Sequence, residues 1–85
     1  MKSMQTLTDH ETNIVDTLIM RCEREWVDIR QFAFEFRFAT ARQLLPYVRL
    51  LRAEGYVFER QVRKRPGTNM NQTLIRITDY KEKKR

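Results

Sequence analysis

Absences narrow the reading of this chain first. Its 85 residues include two glycines, two prolines, one cysteine and one histidine. Two glycines cannot build the Gly-rich loop that cradles a nucleotide phosphate. A lone cysteine, Cys22, excludes an internal disulfide and a multi-cysteine zinc site, and its expected fate is core packing in a reducing compartment. The one histidine, His10, falls in the first turn of an expected helix, with no cysteine or serine partner at a useful spacing. It reads as a surface residue, not as a general base. No apolar run approaches the roughly 18 residues of a membrane span, and the N-terminal MKSMQTLTDH lacks the apolar centre of a signal peptide. We therefore expect a cytoplasmic protein that is not an enzyme, with no metal, no cofactor, no membrane partner and no small-molecule substrate.

Charge is plentiful and unevenly placed. Residues 1–25 carry three basic and five acidic groups, residues 26–55 five and three, and residues 56–85 nine and three, within a net charge of +6. A pI near 10.0 with the positive charge gathered in one region is the electrostatic footprint of a nucleic-acid binder, or less often of a protein that binds anionic membranes. The bland reading is a solvated basic face. The length suits a single domain over 1–85, near the lower limit for an independent core, with residues 1–7 and 80–85 expected to fray.

Thr8-Asp9-His10-Glu11 fits a capping box, in which Thr8 and Glu11 satisfy each other's backbone N–H. Ile14, Val15, Leu18, Ile19 and Cys22 then form one apolar stripe, so the first helix runs from here to near Arg24. Its carboxylates Asp9, Glu11, Asp16, Glu23 and Glu25 are scattered, as on a solvated face. Trp26-Val27 suits a very short strand.

The stretch QFAFEFRFAT supports two templates. Phe32, Phe34, Phe36 and Phe38 alternate as in a strand, whereas Ile29, Phe32, Ala33 and Phe36 follow helical spacing behind Asp28, a good N-cap. No Gly, Pro or Asn separates Trp26 from Thr40, and Gln, Ala, Glu and Arg fill the gaps, which favours a second helix. Phe32 and Phe36 then face inward, Phe38 folds under the following turn, and Phe34 is left partly exposed. A third helix is expected from an N-cap at Thr40, with Leu44, Val48 and Leu51 inward and Gly55 as its left-handed terminator. Pro46 would crowd the preceding turn of that helix. Residues 56–62 and 73–78 are rich in β-branched and aromatic side chains and flank Pro66-Gly67-Thr68-Asn69, which predicts an antiparallel hairpin. Its register is left open, because Val57, Phe58, Leu74, Ile75 and Ile77 do not sort onto one face.

The run WVDIRQFAFEFRFATARQLLPYVRLLRAEGYV thus joins a short strand, a helix with the pair Phe32-Ala33, a turn, a helix carrying Leu44, Val48 and Leu51, and Glu54-Gly55 before a strand. With the hairpin, from Trp26 to Thr78, it resembles the winged helix-turn-helix DNA-binding superfamily. Within it, the Trp-Val-x-x-Arg start and the spacing to Tyr47 are similar to CaiF/GrlA-type enterobacterial transcriptional regulators, and the third-helix segment is similar to FaeA/PapI-type fimbrial regulators. Two departures stand out: Arg37 replaces the glycine usual between the second and third helices, and Ala33 to Thr40 is slightly long. A turn without glycine must avoid positive φ or bear strain.

The resemblance implies an α+β fold of three helices followed by a β-hairpin wing, and a transcriptional regulator that binds double-stranded DNA. Helix 3 would then enter the major groove with Thr40, Arg42, Gln43, Pro46 and Arg49 outward, Arg suited to guanine and Gln to adenine. Arg60, Arg63, Lys64, Arg65 and Asn69, with Thr68 and Asn71, would place the wing on phosphates or in the minor groove. A basic hairpin tip also protects an edge strand from aggregation. Small domains of this type gain affinity by pairing on neighbouring half-sites, which implies a homodimer or a protein partner. Two other readings compete. One is a protein-interaction module that contacts another regulator or polymerase through Phe34 and Tyr47; the other is RNA or single-strand binding through Tyr56 and Phe58 beside Arg60.

Overall fold

The computed structural model describes residues 7–81, which form three α-helices and a three-stranded antiparallel sheet. Helix α1 spans Asp9–Arg24 and opens on the expected box, with Glu11 N–H donating to Thr8 Oγ1 and Thr8 N–H donating to Glu11 Oε1, each at 3.2 Å. Its stripe of Ile14, Val15, Leu18 and Cys22 is fully buried. Burial pushes the Cys22 thiol up to about 12, against the opposing charge of Arg21, so it packs as an inert core group.

The expected strand at Trp26-Val27 is shifted by one residue. Strand β1 is Val27–Asp28, paired with Ile75 and Leu74, while Trp26 is half-buried outside the sheet. Asp28 ends this strand and caps the next helix at once. Helix α2, Ile29–Glu35, buries Phe32 and Ala33. The competing strand over QFAFEFRFAT does not form, because Phe32 and Phe36 meet on one helical side, their ring centroids 4.8 Å apart.

α2 ends in a paired set of backbone bonds, Arg37 N–H to Phe34 C=O at 3.0 Å and Phe38 N–H to Ala33 C=O at 2.8 Å. This is a Schellman motif with Arg37 in the position that glycine usually fills, and Arg37 takes φ 60°. The missing glycine is therefore borne as positive φ in an arginine.

The third helix departs from expectation at its start. Thr40 precedes a 3-10 turn, Ala41–Leu44, and α3 proper runs Leu45–Glu54. Pro46 consequently lies in the first turn of α3, where its absent N–H has no partner to lose. Gly55 ends α3 at φ 113°, donating to the Arg52 carbonyl at 3.1 Å and accepting from Lys81 N–H at 2.7 Å. A Cβ at this position would lie 1.9 Å from the Lys81 carbonyl oxygen, so the residue must be glycine for steric reasons as well.

Strands β2, Tyr56–Lys64, and β3, Asn71–Tyr80, form the predicted hairpin, which extends further than expected toward the tip and, in β3, at its far end. β3 is central in the order β1-β3-β2. An irregularity between Val57 and Phe58 shifts the register to Phe58↔Ile77 and Arg60↔Ile75, which explains why the apolar residues of the two strands do not alternate simply. Ile75 and Ile77 enter the core with Phe58 packed against them. Of the ends expected to fray, residues 1–6 and 82–85 lie outside the described residues. Leu7 packs on the core and Tyr80 closes β3 opposite Tyr56.

Candidate nucleic-acid interface

The basic residues expected to act together divide into three settings. The first lies between α3 and the hairpin. Leu45, Arg49 and Arg52 repeat at four and three along α3, and with Arg60 of β2 they border a groove of about 330 Å³ over Ile29 and Ile75. Its lining includes three arginines and no acidic residue. Among the described residues none of the three forms a salt bridge; Arg52 instead lies over the Phe58 ring, 5.9 Å from its centroid. Three uncompensated guanidinium groups around one concavity focus a positive potential there. Sequence reasoning missed Arg52, Leu45 and Thr73 as members of this site. Arg52 shares the i, i+4, i+7 stripe of Leu45 and Arg49, which was legible; Arg60 and Thr73 join it only through the hairpin register.

The second setting is a hollow of about 590 Å³ beside the α2 terminus, where Phe34, Phe38, Thr40 and Arg42 meet Arg30. Phe34 is 81% exposed. Thr40 and Arg42 are exposed at the front of the 3-10 turn, and Pro46 is exposed one turn further on. Gln43, the expected adenine reader, is engaged otherwise: its Oε1 accepts from Ala39 N–H at 2.7 Å and from Thr40 N–H at 3.3 Å. A bidentate adenine contact uses both this oxygen and the side-chain amide nitrogen, so reading a base would require Gln43 to release the turn.

The third setting is the hairpin tip. Pro66 and Gly67 form its turn, with Gly67 at φ 78° and Thr68 N–H bonded to the Arg65 carbonyl at 3.2 Å. Lys64 and Asn69 are exposed there, and Arg63 donates to Gln61 at 3.2 Å. Arg65 turns inward. Its guanidinium pairs with Asp28 Oδ2 at 3.6 Å, and Gln72 donates to the same oxygen at 2.8 Å. The other carboxylate oxygen of Asp28 accepts from the backbone N–H groups of Arg30, at 2.9 Å, and Gln31, at 3.4 Å. Burial alone would raise the Asp28 carboxyl, but the bond from Gln72, these two cap bonds and the Arg65 charge together hold it below its ordinary range.

The aromatics of the competing readings are largely accounted for. Tyr47 is half-buried, its ring 6.1 Å from Phe38 and its hydroxyl donating to Glu11 Oε2 at 3.2 Å. Tyr56 and Phe58 pack against the core, so they do not form an open stacking face. Phe34 alone of these stands out in solvent. Among the described residues no helix is long and apolar enough to cross a membrane, and no three metal-ligating side chains cluster. Compared with known proteins, the chain matches no family profile, no curated protein and no solved structure.

Proposed function

We propose that this chain is a winged helix-turn-helix protein that binds double-stranded DNA in a sequence-specific way and regulates transcription. The observation that carries this reading is the groove of Arg49, Arg52 and Arg60, whose positive charge has no acidic partner in its lining. A duplex supplies what the groove lacks. Its phosphates bring negative charge to the hairpin side, while Arg42 at the front of the 3-10 turn is free to meet a guanine edge. The strand order β1-β3-β2 behind three helices is compatible with this use of the fold.

The test is selection from a pool of random duplexes, with binding of the enriched sequence measured across salt. Affinity should fall with a log–log slope of about −0.9 for each phosphate contacted. Arg42→Ala should cost about 1–3 kcal/mol and relax the motif at one position, whereas Arg52→Ala should weaken all duplexes alike and reduce the slope by about 1. A flat salt response with no enriched sequence would overturn the reading. A second reading, a protein-interaction module that contacts another regulator or polymerase, is favoured by one specific observation, the exposure of Phe34.

A further inference from the structure

Two exposed apolar side chains sit among charges of opposite sign. Phe34 lines its hollow with Phe38 and Ala33, and the charged residues of that lining are Arg30 and Arg42. Met20, 50% exposed on α1, has exposed Asp16 four residues before it and exposed Glu23 three residues after it, on one helical face. Arg24 lies on the other flank. The acidic side continues toward the Tyr56–Tyr80 ring pair, centroids 4.6 Å apart, where burial and then Tyr80, Glu23, Asp16 and Glu54 raise the Tyr56 phenol.

We propose that copies of this chain associate, Met20 of one copy entering the Phe34 hollow of another with Asp16 and Glu23 facing Arg30. Charge selects this pairing of unlike faces over a pairing of like ones. Two hollows brought face to face would set Arg30 and Arg42 against their own counterparts, and two α1 faces would oppose carboxylates. A flexible thioether is also suited to an aromatic wall. A junction made once leaves one hollow and one Met20 for a further copy, whereas the same junction made reciprocally about a two-fold axis closes as a dimer. The proposal goes beyond the DNA reading and is tested without DNA.

Mass is measured by sedimentation and light scattering at low salt, from micromolar to near-millimolar protein. The full chain should self-associate to a dimer or larger as concentration rises. Phe34→Ala and Met20→Ala should each be monomeric, with far-UV circular dichroism unchanged, since both shorten exposed side chains. Mixed in equal amounts, the two variants should form a one-to-one dimer and nothing larger, because only the Met20→Ala hollow meets an intact Met20. A chain that is monomeric throughout, a dimer that either variant leaves intact, or a mixture that does not pair would each overturn the proposal.

Discussion

Helix α1 and the α2–α3 unit are held in opposite ways. The start of α1 is satisfied within four consecutive residues, Thr8 and Glu11 exchanging two bonds. The start of α2 depends on Asp28, a buried carboxylate that reaches Gln72, 44 residues away, as well as Arg65 at the hairpin tip. The end of α2 carries Arg37 at positive φ, and α3 begins only after a 3-10 turn braced by Gln43. Local bonds satisfy the start of the helix that fills the core. The unit that presents the candidate interface is fixed by distant ties and holds the strain.

The largest break in this contrast comes from Asp28→Ala. It removes a cap from two backbone N–H groups and leaves Gln72 and Arg65 without their acceptor, a loss of about 3 kcal/mol. Thr8→Ala, at an exposed cap, should cost about 1 kcal/mol. Urea midpoints at constant m compare the two. The pH dependence separates them further. The folded carboxyl of Asp28 is held below its ordinary value of 3.8, so its stabilisation is fully present above that value and is lost as pH falls through the lower folded one. Asp28→Asn should keep much of the cap and lose this acid-side dependence; an unchanged acid limb in that variant would show that Asp28 is not its source.

Much of this fold was legible because its cues are local. The capping box, the α1 stripe, Asp28 as an N-cap, Gly55 as a terminator and the Pro-Gly turn each act through neighbours in sequence. The 3-10 turn itself was not legible, since Thr40 to Gln43 reads equally as the start of an α-helix; the one local cue was Pro46, which crowds a helix begun at Thr40 and suits the first turn of one begun later. Arg65 reads from its neighbours as a DNA contact, and nothing beside it in sequence points to Asp28. The groove required Arg60 to be set opposite Ile75, a pairing decided by the irregularity at Val57 and Phe58.

Arg37→Gly sharpens the comparison from the other direction. A non-glycine residue in the left-handed region costs about 1–2 kcal/mol, part of which is offset because glycine gives the unfolded chain more freedom. The net expectation is a stabilisation of about 1 kcal/mol, read as a higher urea midpoint. If the candidate interface uses the Arg37 charge or the strained turn, the more stable variant should bind duplex more weakly; equal binding would make the strain incidental to the site.

The smallest effect is expected where the two regions touch. Tyr47 of α3 donates to Glu11, the same residue that completes the α1 capping box, so one carboxylate joins the local cap to the α2–α3 unit. Burial raises the Tyr47 phenol, and the charge and hydrogen bond of Glu11 raise it further, so the hydroxyl remains a donor through neutral pH. Tyr47→Phe keeps the ring against Phe38 and deletes only that bond, a loss of about 0.5–1 kcal/mol. Combined with Thr8→Ala in a double-mutant cycle, it asks whether cap and bridge are coupled through Glu11. Additive losses would mean that α1 is as self-contained as its local bonds suggest, whereas a coupling energy would show that even the local helix start is tuned by the unit packed against it.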